Sequence, residues 1–225
     1  MKKVVGVWFL FFLTTSLAGT AWAGALAFDT PEYAARRARL MAQIPDGIAV
    51  LWGSTAGPQT NDFIYFCGLK VPRAVLIIDG VRKESLLFYT TTENFLRSEN
   101  LSVDLARDPK AATGVERGYP LAQFSSVLSR LAAQTRVIYT PFRAEESSRD
   151  VSFLNEWDGR LTRELQFVKL LRDRFPQVEV RDLNEIVWEI RRLKTPAEVE
   201  VLRKAGRIGV QAMIEVMKAA RPGQY

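Results

Sequence analysis

Short runs of β-forming residues alternate along this chain with stretches of helical period, and that alternation predicts an α/β fold. A well-marked helix start at Thr195-Pro196-Ala197-Glu198 sets one long helix, of about six turns, behind the α/β part. Length agrees with both: the residues after an apolar leader, about 200, give room for one substantial core or a small domain plus an extension.

The elements follow in order. Asp29-Thr30-Pro31-Glu32 opens a first helix that carries Arg36, Arg37, Leu40 and Met41 to about Ile44. Pro45-Asp46-Gly47 turns the chain, and Ile48-Ala49-Val50-Leu51-Trp52 is apolar throughout, as a strand covered on both faces should be. Residues 53–60 form a polar loop containing Gly and Pro. Residues 63–67 and 74–78 read as the next strands. Asp79-Gly80 then begins a tight connection into 86–89, so that 74–78 and 86–89 pair as a hairpin. Residues 93–118 follow no clean period. Residues 120–133 are an amphipathic helix with Leu121, Phe124, Val127, Leu128 and Leu131 on one side. Residues 137–139 make a short strand, 151–175 are mainly helical and end at Pro176, 178–180 make another short strand, and 183–193 lead to the last helix. There, Thr195 can accept the Glu198 amide while the Glu198 carboxylate reaches back, and Pro196 loses nothing by lacking an N–H. Val199, Leu202, Gly206, Gly209, Met213 and Val216 share one face, and Arg221-Pro222-Gly223 stops the helix.

The amino terminus reads as an address. Lys2 and Lys3 precede an apolar run from Val4 to Leu13, and Ala21-Trp22-Ala23 supplies the small-x-small pattern of a secretory signal peptide cut before Gly24. A second site lies before Phe28, and an uncleaved anchor would need an apolar run of about 20 residues. The expectation is an exported protein, periplasmic or secreted, with no stable membrane anchor after cleavage.

Charge and composition remove several kinds of function. Loss of Lys2 and Lys3 takes the net charge from +6 to +4, and the remaining basic residues are interleaved with acids. That is a solvated helix face, not the clustered footprint of a nucleic-acid binder. Cys67 is the single cysteine, which rules out a disulfide within the chain. No histidine occurs, so Ser-His and Cys-His nucleophiles and His-containing zinc sites are excluded. Neither a P-loop nor a G-x-G-x-x-G loop is present. Glu145, Glu146, Glu198 and Glu200 lie among charges, where a carboxylate keeps an ordinary pKa and makes a poor base near neutrality. No catalytic centre can be read from these residues.

Two ordered motifs carry a resemblance. Arg191, Lys194, Thr195, Pro196, Glu198, Val199, Leu202, Arg203, Ala205 and Gly206, followed by Arg221-Pro222-Gly223, match an R-x-x-K-S/T-P-x-E-I/V-x-x-L/M-R-x-A-G run with its R-P-G. Upstream, Asn61-Asp62-Phe63-Ile64-Tyr65-Phe66-Cys67-Gly68-Leu69 matches N-S-D-F-x-Y-F/L-T-G-F. Together they resemble the aminopeptidase P family of Xaa-Pro aminopeptidases; prolidases and creatinases share looser versions. Asn61, Cys67 and Leu69 depart from the usual serine, threonine and phenylalanine, and residues 93–118 lack the W-x-G-x-R-x-G run of many members.

The resemblance implies a mixed β-sheet flanked by helices over residues 24–194, then over 195–225 the first helix of an incomplete pita-bread catalytic domain. It implies peptide substrates with a penultimate proline, a homo-oligomer, and two manganese ions held by two Asp, one His and two Glu downstream of Gly223. No metal ligand and no catalytic residue is therefore expected in this chain. Asp62 matches a residue near the active-site entrance of such enzymes, where a carboxylate could attract the free amino group of a peptide. Read from its neighbours alone, the same Asp62 could equally cap a turn at a strand edge. The alternatives are a stand-alone binding or oligomerisation module derived from the family, or a prolidase- or creatinase-like relative.

Overall fold

The computed structural model describes residues 26–55, 60–143 and 161–221. The leader, the 151–160 part of the expected helix and the Pro222-Gly223 stop lie outside the described residues. Among those described, one six-stranded sheet forms the middle of the molecule: β1 (Gly47–Trp52), β2 (Val75–Asp79), β3 (Glu84–Tyr89), β4 (Arg117–Pro120), β5 (Val137–Thr140) and β6 (Glu179–Asp182). Their order across the sheet is β4-β3-β2-β1-β5-β6. β2 is antiparallel to both β1 and β3, while β1–β5, β5–β6 and β3–β4 are parallel. The sheet is mixed, as the family resemblance implied. Its carboxyl ends, β2 excepted, share one edge.

Strand periodicity divides the core into two layers. Ala49, Leu51, Leu76, Ile78, Leu87 and Tyr89 face one side, under α1 (Thr30–Gln43), α2 (Asn61–Cys67) and α8 (Asn184–Arg192). Ile48, Val50, Val75, Ile77, Leu86 and Phe88 face the other, under α6 (Phe124–Ala132) and α7 (Arg163–Arg174). Both faces of β1 and β2 are thus covered, which is why their sequences are apolar without alternation. The 79–84 turn closes the expected hairpin. Asp79 is wholly buried, and its Oδ1 accepts the amides of Val81 and Arg82, each at 2.8 Å.

Residues 63–67 are not a strand: they belong to helix α2. The aromatic-rich sequence suggests β, but tertiary context overrides that preference. Thr60 stands at the N-cap, and Gly68 ends the helix in the left-handed region at φ 73°. A Cβ on Gly68 would come within 2.5 Å of the Tyr33 ring, so glycine is required twice over. Residues 93–118, aperiodic in sequence, hold three helices of one to two turns: α3 (Glu93–Ser98), α4 (Asp104–Arg107) and α5 (Pro109–Thr113). Elements this short show no period. The helix expected from Pro120 starts later, because Pro120 ends β4 and a 3₁₀ turn at Leu121–Gln123 precedes α6.

The last helix, α9 (Pro196–Ala219), has the expected capping box in full: Glu198 N–H donates to Thr195 Oγ1 at 3.2 Å, and Thr195 N–H to Glu198 Oε2 at 2.8 Å. None of its side chains is buried, and every residue from Glu200 to Arg221 is exposed. Its apolar surface is also wider than one face. Val201, Ile208, Val210, Ile214 and Met217 extend the stripe of Leu202, Met213 and Val216, with Met217 71% exposed. At 100° per residue these positions cover roughly two thirds of the helix circumference.

Candidate functional site

Asp62 lies in the first turn of α2, where the helix N-terminus favours a carboxylate. Thr60 Oγ1 donates to the Trp52 carbonyl at 3.1 Å, which ties this helix start to the carboxyl end of β1. Phe63, Phe66 and Cys67 fix the helix by burying its other side in the core. Asp62 is 5% exposed, and its Oδ1 accepts directly from Arg191 Nη1, reaching in from the last turn of α8. The Arg191 guanidinium also stands 5.8 Å from the Tyr65 ring centroid. Asp62 therefore sits in a helix and not on a strand edge, as the buried half of an ion pair between two helices whose other half, Arg191, is 33% exposed.

Below this pair opens a cavity of about 220 Å³, beyond the carboxyl ends of β1 and β5. Trp52, Phe167 and Leu170 give it apolar walls; Asp62, Arg143, Arg163 and Glu164 are its charged lining residues.

A second charged cluster also approaches Tyr65. Arg36 is 2% exposed, and its guanidinium carbon stands 4.5 Å from the Phe28 ring, 5.2 Å from Tyr33 and 4.4 Å from Tyr65. Nε donates to Glu32 Oε1 at 3.0 Å and Nη1 to the Tyr65 carbonyl at 3.1 Å. Nη2 lies 3.2 Å from Glu198 Oε1, close enough to pair but away from hydrogen-bond geometry. Next in sequence, Arg37 is 1% exposed and donates to the carbonyls of Phe66 (2.9 Å) and Gly114 (2.5 Å). Burial draws its pKa down from the usual arginine value. The two arginines together serve the last carbonyls of α2, which a helix C-terminus leaves without partners. Burial also raises the Tyr65 phenol above its ordinary value, so the ring that both clusters approach is neutral.

These residues do not fit a metal pair. Among the described residues no three His, Cys, Asp or Glu side chains come together. The carboxylates of Glu32 and Glu198 share the Arg36 guanidinium, which a cation would have to displace. Cys67 is no nucleophile either: burial pushes its thiol up to about 12, and Sγ donates to the Phe63 carbonyl at 3.1 Å.

Sequence reasoning singled out Asp62 and missed the roles of three arginines near it. Arg191 opens the second motif, so its number was in view but its partner was not. Arg36 and Arg37 had a readable signal. Tyr33, Arg36, Arg37, Leu40 and Met41 fall at the i, i+3, i+4, i+7, i+8 positions of the buried face of α1, and arginines at core positions must find acceptors.

Comparison with known proteins agrees with this architecture. The family model described as "Aminopeptidase P, N-terminal domain" matches residues 33–139. Xaa-Pro aminopeptidase of Escherichia coli (strain K12) is 27% identical over 213 residues, covering 86% of this chain and 46% of the relative. Xaa-Pro aminopeptidase 3 of Mus musculus is 25% identical over 174 residues, 72% of this chain and 31% of the relative. Among solved structures, the low-pH form of aminopeptidase P from E. coli superposes with a TM-score of 0.68 at 22% identity, covering 88% of this chain and 47% of that one. The chain thus spans less than half the length of each of these three.

Proposed function

Since this chain carries the N-terminal domain of the aminopeptidase P family, we propose that it is the amino-terminal part of an exported Xaa-Pro aminopeptidase-like metallopeptidase, which removes the residue before a penultimate proline. The observation that carries the reading is α9. A 24-residue helix with a complete capping box, apolar over most of its circumference and burying no side chain, is built to be covered by further structure. In this reading the covering structure is a pita-bread catalytic domain that begins at Thr195. The same reading assigns two manganese ions to that domain.

Asp62 is the chain's contribution to substrate. A peptide whose free ammonium group enters the cavity would meet, in its lining, the Asp62 carboxylate already oriented by Arg191. The coding sequence after Tyr225 tests the proposal. A frame that continues into two Asp, one His and two Glu supports it; a stop codon there overturns it. Xaa-Pro peptide hydrolysis by the purified 225-residue chain, with manganese added, is expected to be nil, and turnover would place the chemistry in residues other than those proposed. Export is tested by amino-terminal sequencing of the mature protein, expected to begin at Gly24.

The exposed apolar surface of α9 also favours a second reading, a non-catalytic module that assembles copies of itself through that helix. The stop codon would support this one, and sedimentation of the 225-residue chain as a concentration-independent monomer would remove it.

A further inference from the structure

We propose that Arg36, with Glu32, Glu198 and Tyr65, forms a latch that fixes the direction of α9 relative to the sheet domain. Through it, Asp62 is held in register with whatever α9 carries. The consequence for Asp62 rests on the peptidase reading above; the latch itself does not.

A guanidinium 2% exposed demands a reason, because burial of a charge is tolerated only when it is paired. Serving the Tyr65 carbonyl would take one donor. Arg36 also reaches two carboxylates on different helices, Glu32 of α1 and Glu198 of α9. Three rings surround its carbon and keep water away, so these contacts act at low effective dielectric and depend on direction. The α9 end is equally specific. Thr195 donates its hydroxyl to Glu32 Oε1 at 2.9 Å while accepting the Glu198 amide. The two residues that start the helix are thus the two that hold it.

Apolar packing does not share this task, since α9 buries no side chain. A helix of 24 residues is about 36 Å long, and a 10° slip at its first turn moves the far end by about 6 Å. Direction at the latch therefore decides position at the tip. Tyr65 connects this to the candidate site: Arg36 lies 4.4 Å from its ring centroid and Arg191, the partner of Asp62, 5.8 Å. Displacing α9 disturbs the same ring against which Arg191 rests.

The test uses the 225-residue chain with spin labels on Val81→Cys, in the β2–β3 turn, and Val210→Cys on α9. Buried Cys67 stays unlabelled. Samples are diluted with unlabelled protein so that only distances within one molecule are read by double electron–electron resonance. The parent should give one narrow distribution. Glu198→Gln keeps an acceptor for the Thr195 amide but removes the charge facing Arg36, and should broaden the distribution at least about twofold with the capping box intact. Arg36→Met and Tyr65→Leu should do the same, while Tyr65→Phe, which keeps the ring, should match the parent. An E198Q distribution as narrow as the parent's overturns the latch. That variant decides the matter even where Arg36→Met fails to fold, and the readout needs no substrate, so absence of peptidase activity leaves it unaffected.

Discussion

Ending the chain after Lys194 separates a helix that belongs to this core from one that awaits other cover. The structure sets the magnitude. No side chain of α9 is buried, so the apolar contribution lost on deletion is close to zero. What goes is the Thr195–Glu32 hydrogen bond and the Glu198–Arg36 ion pair, while Arg36 keeps Glu32 and the Tyr65 carbonyl. One hydrogen bond and one charged contact together are worth about 2–4 kcal/mol. For a domain of this size that lowers the melting temperature by on the order of 10 °C and leaves cooperativity in place. Had the eight large apolar residues of α9 been core, losing them at about 1.5–3 kcal/mol each would match or exceed the whole stability of an ordinary domain. Thermal melts followed by circular dichroism distinguish the two cases. Sedimentation velocity should in parallel show less self-association, because the exposed apolar surface has gone. A truncated chain without a cooperative transition would refute the reasoning and return α9 to the core of this domain.

Three further outcomes are expected. Arg37→Met leaves the buried carbonyls of Phe66 and Gly114 without their donor and should cost about 3 kcal/mol, read as a lowered urea midpoint; a change under about 1 kcal/mol would show that water replaces the guanidinium. Burial raises the Tyr89 phenol to about 12 while its hydroxyl donates to the Leu105 carbonyl. The folded state thus favours the neutral phenol: its contribution is complete below the unfolded value near 10 and is lost as pH rises through about 12. Tyr89→Phe should flatten that alkaline loss, and an unchanged pH profile would exclude Tyr89 as its source. In a peptidase built on this chain, Asp62→Asn should raise KM for Xaa-Pro peptides about tenfold, the equivalent of one weakened charge contact, with kcat little changed. An unchanged KM would take Asp62 out of substrate binding.

What the sequence made legible was whatever depended on local spacing. The capping box at Thr195 and Glu198 needs residues three apart and nothing else, and it stands as expected. β1 and the β2–β3 hairpin were readable because apolar runs and an Asp-Gly turn are local signals. The strand expected at 63–67 failed for the opposite reason. Its aromatic residues suit a strand, and what makes it a helix lies elsewhere: arginines from α1 serve its last carbonyls, and Tyr33 closes on Gly68. Residues 93–118 were opaque because one- and two-turn helices carry no measurable period.

Asp62 and Arg191 illustrate the same limit at the candidate site. Each was in view as a member of one of two motifs, and the motifs looked like independent fingerprints. In the fold they are one object, since the ion pair spans 129 positions and joins the first turn of α2 to the last turn of α8. Three residues past Arg191 the chain enters the Thr195 cap, which Glu32 and Arg36 hold to α1. The short 191–198 stretch is thus tied to the sheet domain twice, both times beside Tyr65. A segment bound this way transmits position. Any structure built on α9 is placed relative to the Asp62 carboxylate by contacts that consume no apolar core, which leaves α9 from Glu200 onward available to be covered.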